Sequence, residues 1–134
     1  MDEQPTFLYL DDDPMARQIL SVMFRNAGYS QLVTFADSAD FMARVEALWP
    51  PPDVFLLDIH IAPYNGFQML ELLRAHESFQ NKMVVAVTAS VMHDEVVLLQ
   101  RAGFNGALGK PIDFDNFEPL IKSILAGDTI WHIV

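Results

Sequence analysis

Cysteine is absent from the chain, which excludes a disulfide framework, a thiol nucleophile and a cysteine-ligated zinc site. Basic residues are scarce: 8 Lys and Arg stand against 18 Asp and Glu, for a formal net charge of −10. That balance rules against the basic footprint of a nucleic-acid-binding domain and makes an anionic membrane surface an unfavourable partner. No apolar run approaches the ~18 residues of a membrane span, and the N-terminus lacks a basic stretch leading into an apolar one. Internal repeats and low-complexity segments are also missing. These absences lead to the expectation of a cytoplasmic domain with neither nucleic acid nor membrane among its partners.

What is present suits a single α/β unit. With 134 residues, 51% of them hydrophobic, the chain can bury a core on both faces of a sheet. Short apolar runs alternate with amphipathic segments throughout. Phe7-Leu8-Tyr9-Leu10, Leu32-Val33-Thr34-Phe35, Val54-Phe55-Leu56-Leu57, Met83 to Thr88 and Gly106 to Lys110 read as strands. Asp13-Pro14 opens the first helix, with a stripe of Met15, Ile19, Met23 and Ala27 and a stop at Gly28. Asp37 or Ser38 is expected to cap a second helix carrying Phe41, Val45 and Leu48 inward, before Pro50-Pro51-Pro52 breaks it. A third helix follows Asn65-Gly66 with Phe67, Leu70 and Leu73 inward. A fourth, capped by Ser90, turns Val96 and Leu99 to the core and ends near Gly103. The last is expected to bury Phe117, Leu120, Ile121, Ile124 and Leu125, with Pro119 in its first turn. Strict alternation predicts a doubly wound, five-stranded parallel sheet with helices on both faces. Residues 1–126 are expected to form this domain, and 127–134 a short tail in which Trp131 packs back, with no output domain.

Carboxylates collect where ligands bind in such a fold. Asp11-Asp12-Asp13 follows the first strand and Asp58 ends the third, at the carboxyl edge that forms the crevice of an open parallel sheet. Two carboxylates ~4 Å apart repel by roughly 4 kcal/mol at an effective dielectric of about 20, a cost that a divalent cation removes. Mg²⁺, which is content with a few carboxylates and water, is the natural candidate, with Mn²⁺ possible. Thr88 and Lys110 end the fourth and fifth strands. The set offers a carboxylate nucleophile toward phosphorus, a cation site, a hydroxyl donor and an ammonium counter-charge.

Here the chain resembles the response-regulator receiver domains of two-component signalling. The resemblance rests on Leu10-Asp11-Asp12-Asp13-Pro14 with Arg17, Leu57-Asp58-Ile59 leading to Gly66, Val87-Thr88-Ala89, and Lys110-Pro111, and it extends from Phe7 to Leu125. It implies the flavodoxin-like strand order 2-1-3-4-5. It further implies Asp58 as phosphoacceptor, and Asp11, Asp12, Asp58 and the His60 backbone carbonyl as the Mg²⁺ shell, with Asp12 the direct ligand. Thr88 and Lys110 would contact the phosphoryl group, Ala89 would leave it room, and His60 and Ser90 would tune its lifetime. A histidine kinase or histidine phosphotransfer protein would be the donor and an unknown downstream protein the target.

Two departures stand out. The proline usual four residues after the phosphoacceptor is Ala62, with Pro63 following, which implies a loop of different shape. The aromatic usual three residues before the lysine is Ala107, so a rotameric aromatic relay at that position is missing. A phosphatase of the haloacid-dehalogenase type, with Asp11 as nucleophile and Asp13 as acid/base, is one alternative; a scaffold of the same fold that is never phosphorylated is another. The seven methionines read as core filler, and His76, His93 and His132 as surface residues.

Overall fold

The structure, a computed structural model, describes residues 4–89 and 92–132. Five strands, β1 (Phe7–Leu10), β2 (Leu32–Phe35), β3 (Val54–Asp58), β4 (Met83–Thr88) and β5 (Gly106–Gly109), alternate with α1 (Pro14–Asn26), α2 (Phe41–Glu46), α3 (Gly66–Arg74), α4 (His93–Ala102) and α5 (Phe114–Leu125). A further strand, β6 (Ile130–His132), follows α5, so the sheet has six strands rather than the expected five, in the order β2-β1-β3-β4-β5-β6. All pairs are parallel, and the inner five follow the expected 2-1-3-4-5 order. The packing back expected of the tail thus takes the form of a strand.

Alternation along each strand divides the core into two layers. Leu8, Leu10, Phe55, Leu57, Val84, Ala86 and Ala107 face α2, α3 and α4, whereas Phe7, Tyr9, Val54, Leu56, Val85, Val87 and Leu108 face α1 and α5. The inner strands are buried on both faces and therefore read as continuous apolar runs rather than alternating ones.

Four expectations need correction. In α1 the buried residues are Leu20, Met23 and Phe24; Met15 is 62% and Ile19 43% exposed. Both the expected and the observed sets keep helical spacing, and Phe24, which meets the rings of Phe7 and Phe117, sets the phase. Neither Asp37 nor Ser38 caps α2: Asp40 occupies the N-cap in a left-handed conformation without a side-chain cap bond. Asp37 instead accepts from the Ala39 backbone N–H, and Ser38 is engaged elsewhere. In α5, Leu125 is exposed, and Pro119 lies beyond the first turn, inside the helix. The Ser90 cap lies outside the described residues; the N-cap position of α4 is Met92.

β6 is held close. A Cβ built on Gly106 would stand 2.3 Å from the Ile130 carbonyl oxygen and 3.0 Å from its nitrogen, so only glycine admits β6 at this spacing. In register, Trp131 lies opposite Ala107 and packs on the α2/α3/α4 layer. Gly106→Ala should expel β6, since backbone cannot yield as a flexible side chain does. The expected loss is about 1–3 kcal/mol in denaturant unfolding. In a Trp49→Phe background, where Trp131 is the remaining indole, the variant's emission should shift red; an unshifted spectrum would mean that β6 does not depend on Gly106.

Candidate functional site

Strand register brings the acidic residues together. Leu10 of β1 lies opposite Leu57 of β3, so Asp11, just past β1, and Asp58, the last residue of β3, are neighbours one residue on. Asp58 in turn pairs with Val87, and Thr88 with Gly109, which sets Thr88 and Lys110 beside the carboxylates; the Lys110 backbone N–H donates to the Thr88 carbonyl at 2.9 Å.

Asp11 is wholly buried. Its Oδ1 accepts from the Asp13 backbone N–H at 3.0 Å, while Oδ2 accepts from the Tyr9 hydroxyl and stands 2.7 Å from Lys110 Nζ. The Asp11 carbonyl accepts from Arg17 Nη1 at 2.7 Å, fixing the turn before α1. Asp13 completes that turn as N-cap of α1, accepting from Met15 N–H at 2.9 Å ahead of Pro14. Asp58 is 5% exposed; its Oδ1 accepts from the His60 backbone N–H at 3.0 Å and its Oδ2 lies 3.2 Å from Lys110 Nζ. Lys110 therefore bridges two carboxylates.

The titration behaviour follows. Burial alone would push the Asp11 carboxyl up, but Lys110, Tyr9 and the Asp13 N–H outweigh it and hold Asp11 below its usual range. Burial would likewise lower the Lys110 ammonium, and the two carboxylates overcome it and raise it. Desolvation, then Asp11, raises the Tyr9 phenol far above its ordinary value, so it stays protonated and a donor.

Asp12 lies exposed at the mouth. One carboxylate oxygen from each of Asp11, Asp12 and Asp58 falls within 4.8 Å of the others. An octahedral ion at about 2.0–2.1 Å from its ligands needs them within roughly 4 Å of one another. The acidic, all-oxygen cluster fits a hard divalent cation, and exposed Asp12 has room to adjust.

The loop after β3 is tightly tethered. Ser38, fully buried, donates from Oγ to the Tyr64 carbonyl at 2.6 Å and accepts from the Tyr64 N–H at 2.7 Å, while its own N–H reaches the Ala62 carbonyl at 3.2 Å. Asn65 and Gln68 form a capping box at the start of α3. A Cβ on Gly66 would meet Ile59 Cδ1 at 2.8 Å and Ile59 Cα at 3.0 Å, so glycine lets α3 close against the end of β3. The loop carrying Pro63 is thus anchored from β2–α2.

All five strand-end residues singled out from the sequence lie together. Ala89 is exposed, lining with Lys110 an apolar cleft of about 330 Å³ whose walls include Met15, Ile19, Met23 and Pro111. His60 and Thr88 line a second cavity of about 200 Å³ against Leu98 and Leu99 of α4. Ser90 lies outside the described residues. Ala107 is buried on the opposite layer, where Phe104 stacks edge-on to Phe67 and Trp131 supplies a ring from β6. Sequence reasoning missed Tyr9 and Ser38. Tyr9 read as one more apolar strand residue, although its two-residue spacing from Asp11 puts both on one face; Ser38 carried no signal beyond a helix cap. The haloacid-dehalogenase alternative finds its nucleophile, Asp11, tied by three donors rather than presented to a substrate.

With EDTA present, Lys110→Gln should raise the pH at which acid unfolding begins. Asp11, its pKa depressed by folding, contributes stability that is full above the unfolded carboxylate value of ~3.9 and is lost as pH falls through the lowered folded value. Without Lys110, burial prevails and the folded value rises, so protonation sets in earlier. At pH 7 the expected loss is about 1–3 kcal/mol, less than for a fully buried pair because the lysine side chain is 24% exposed. Denaturant unfolding across pH reads both effects.

Comparison with known proteins points one way. The family model for the response regulator receiver domain matches residues 7–122. Protein PilH from Pseudomonas aeruginosa is 30% identical over 120 residues, covering 90% of this chain and 97% of PilH. Response regulator Rre1 from Synechocystis is 26% identical over 126 residues; the chain spans 54% of its length. Among solved structures, a putative response regulator from Chloroflexus aurantiacus superposes with a TM-score of 0.82 at 23% identity, covering 92% of this chain and 99% of that one. The receiver domain of sensor histidine kinase PA1611 from Pseudomonas aeruginosa, with a magnesium ion coordinated in its active site cleft, gives 0.79 at 21% identity, covering 92% and 99%.

Proposed function

The chain belongs to the response regulator receiver domain family, and from that membership we propose that it accepts a phosphoryl group on Asp58 from a histidine kinase or histidine phosphotransfer protein and signals through phosphorylation-dependent partner binding. The observation that carries this reading is the Lys110 bridge: Asp58 shares its ammonium with Asp11 at the mouth of an acidic cluster.

The residues divide the work. A carboxylate oxygen of Asp58 forms a bond to phosphorus as the donor's P–N bond breaks, the electron pair leaving with the imidazole, to give an acyl phosphate. Asp12, Asp58, Asp11 and the His60 carbonyl would hold Mg²⁺, which when bound offsets negative charge on the phosphoryl oxygens. Lys110 and Thr88 contact the oxygens that remain, and Ala89 leaves them space. His60, and by the family resemblance Ser90, would tune how fast water later hydrolyses the acyl phosphate. Such a domain is a signalling device, catalysing only its own phosphorylation and dephosphorylation. The absence, among the described residues, of any helix long and apolar enough to cross a membrane is compatible with action in the cytoplasm.

The apolar cleft beside Lys110 gives the donor a seat. Met15 and Ile19, exposed on α1, flank it within reach of the site. With Ala107 in place of an aromatic, output runs through a backbone response of α4 and the β5–β6 edge.

Two measurements test the reading. Asp58→Asn should abolish the mass gained from acetyl phosphate and Mg²⁺, and continued labelling would move the nucleophile elsewhere. Asp12→Ala should weaken Mg²⁺ by 10-fold or more in calorimetry, on the order expected when a ligating carboxylate is lost; unchanged affinity would refute its role as direct ligand.

A further inference from the structure

Asp11 presents a problem that the phosphoacceptor reading creates, and this inference rests on that reading. Lys110 Nζ stands 2.7 Å from Asp11 and 3.2 Å from Asp58. Once Asp58 carries a phosphoryl group, the doubly negative oxygens draw the ammonium toward them and away from Asp11. Asp11 is wholly buried, so once the lysine leaves, its Oδ2 relies on the donors that remain beside any bound cation. Two donors stay behind. One is the Asp13 backbone N–H on Oδ1; the other is the Tyr9 hydroxyl on Oδ2, the same oxygen the lysine leaves.

We propose that Tyr9 is a positioning residue that holds the Asp11 carboxylate in place while Lys110 transfers to the phosphoryl group on Asp58. The phenol suits this task. It is 2% exposed, clamped in the α1/α5 layer at the level of Leu56, its register partner on β3, so its hydroxyl cannot follow the lysine. As a neutral donor it satisfies Oδ2 without adding a charge that would compete for the phosphoryl oxygens. A phenylalanine would fill the same space in the layer and leave Lys110 as the one protein donor facing Oδ2 among the described residues, so moving the lysine would cost more. Tyr9 thereby sets how readily the site takes up a phosphoryl group, acting through its hydrogen bond to Asp11.

Tyr9→Phe separates this role from a merely structural one. Mg²⁺ alone adds no negative charge to Asp58 that would draw the lysine away, so its affinity, read by calorimetry, should change less than about 3-fold. Affinity for fluoroberyllate, a tetrahedral phosphoryl mimic, at saturating Mg²⁺ should fall about 10-fold, and labelling by acetyl phosphate should slow in parallel. Equal losses for both ligands would mark a general loss of structure and overturn the proposal, as would no loss for either. The unsubstituted protein supplies an independent check. The hydroxyl proton of Tyr9 should be protected from exchange in NMR spectra and remain so when fluoroberyllate binds; its exposure on binding would overturn the proposal. If the unsubstituted protein itself takes up neither fluoroberyllate nor phosphoryl, the phosphoacceptor reading fails and takes this inference with it.

Discussion

A single ammonium group shared between two buried carboxylates is the constraint around which the site is organised. Asp11 and Asp58 end adjacent parallel strands, and the sheet register that makes them neighbours also makes them repel. Lys110, brought in by β5 two strands from β3, offsets that repulsion. The arrangement is not saturated: among the described residues Lys110 forms ion pairs with Asp11 and Asp58, while Asp12 adds a third carboxylate to the cluster. A site in that condition gains from a divalent cation.

The surroundings hold the members of the cluster to different degrees. Asp11 is fixed from every side: Arg17 on its carbonyl, Asp13 and Tyr9 on its carboxylate, and the first turn of α1 behind it. Asp58 is held by the His60 N–H and by a loop that Ser38 and Gly66 bind down. Asp12 is exposed. This gradient from fixed to free runs outward from the sheet, and it assigns adaptation to the residue best able to adapt.

Much of this could be read from the sequence, for identifiable reasons. Asp11, Asp12, Asp58, Thr88 and Lys110 were recognisable because each punctuates an apolar run, and a parallel sheet brings strand ends together whatever the helices do. Asp13-Pro14 and Asn65-Gly66 carried local cap chemistry that tertiary packing had no reason to override. What failed was phase and context. Met15-Ile19-Met23 and Leu20-Met23-Phe24 are both legitimate helical stripes, and only the rings of Phe7 and Phe117 decide between them. Ser38 looked like a cap because a hydroxyl's long-range partner is invisible in a local pattern. Tyr9 was hidden because a tyrosine in a buried strand reads as hydrophobic until something is placed within reach of its hydroxyl. β6 was missed as a strand because three residues make too short a run to register, and the signal for it lay in Gly106, on another strand.

The docking of β6 also changes what the sheet offers to other chains. A strand at the rim of a sheet is a template for pairing, and a row of free N–H and C=O groups invites a neighbour to add itself. Here one flank of β5 is already taken by the chain's own backbone, with Gly106, Ala107 and Leu108 paired to Ile130, Trp131 and His132. An outside strand cannot add to β5 on that flank without first displacing the chain's own segment, so the edge next to Lys110 is reserved for an intramolecular partner.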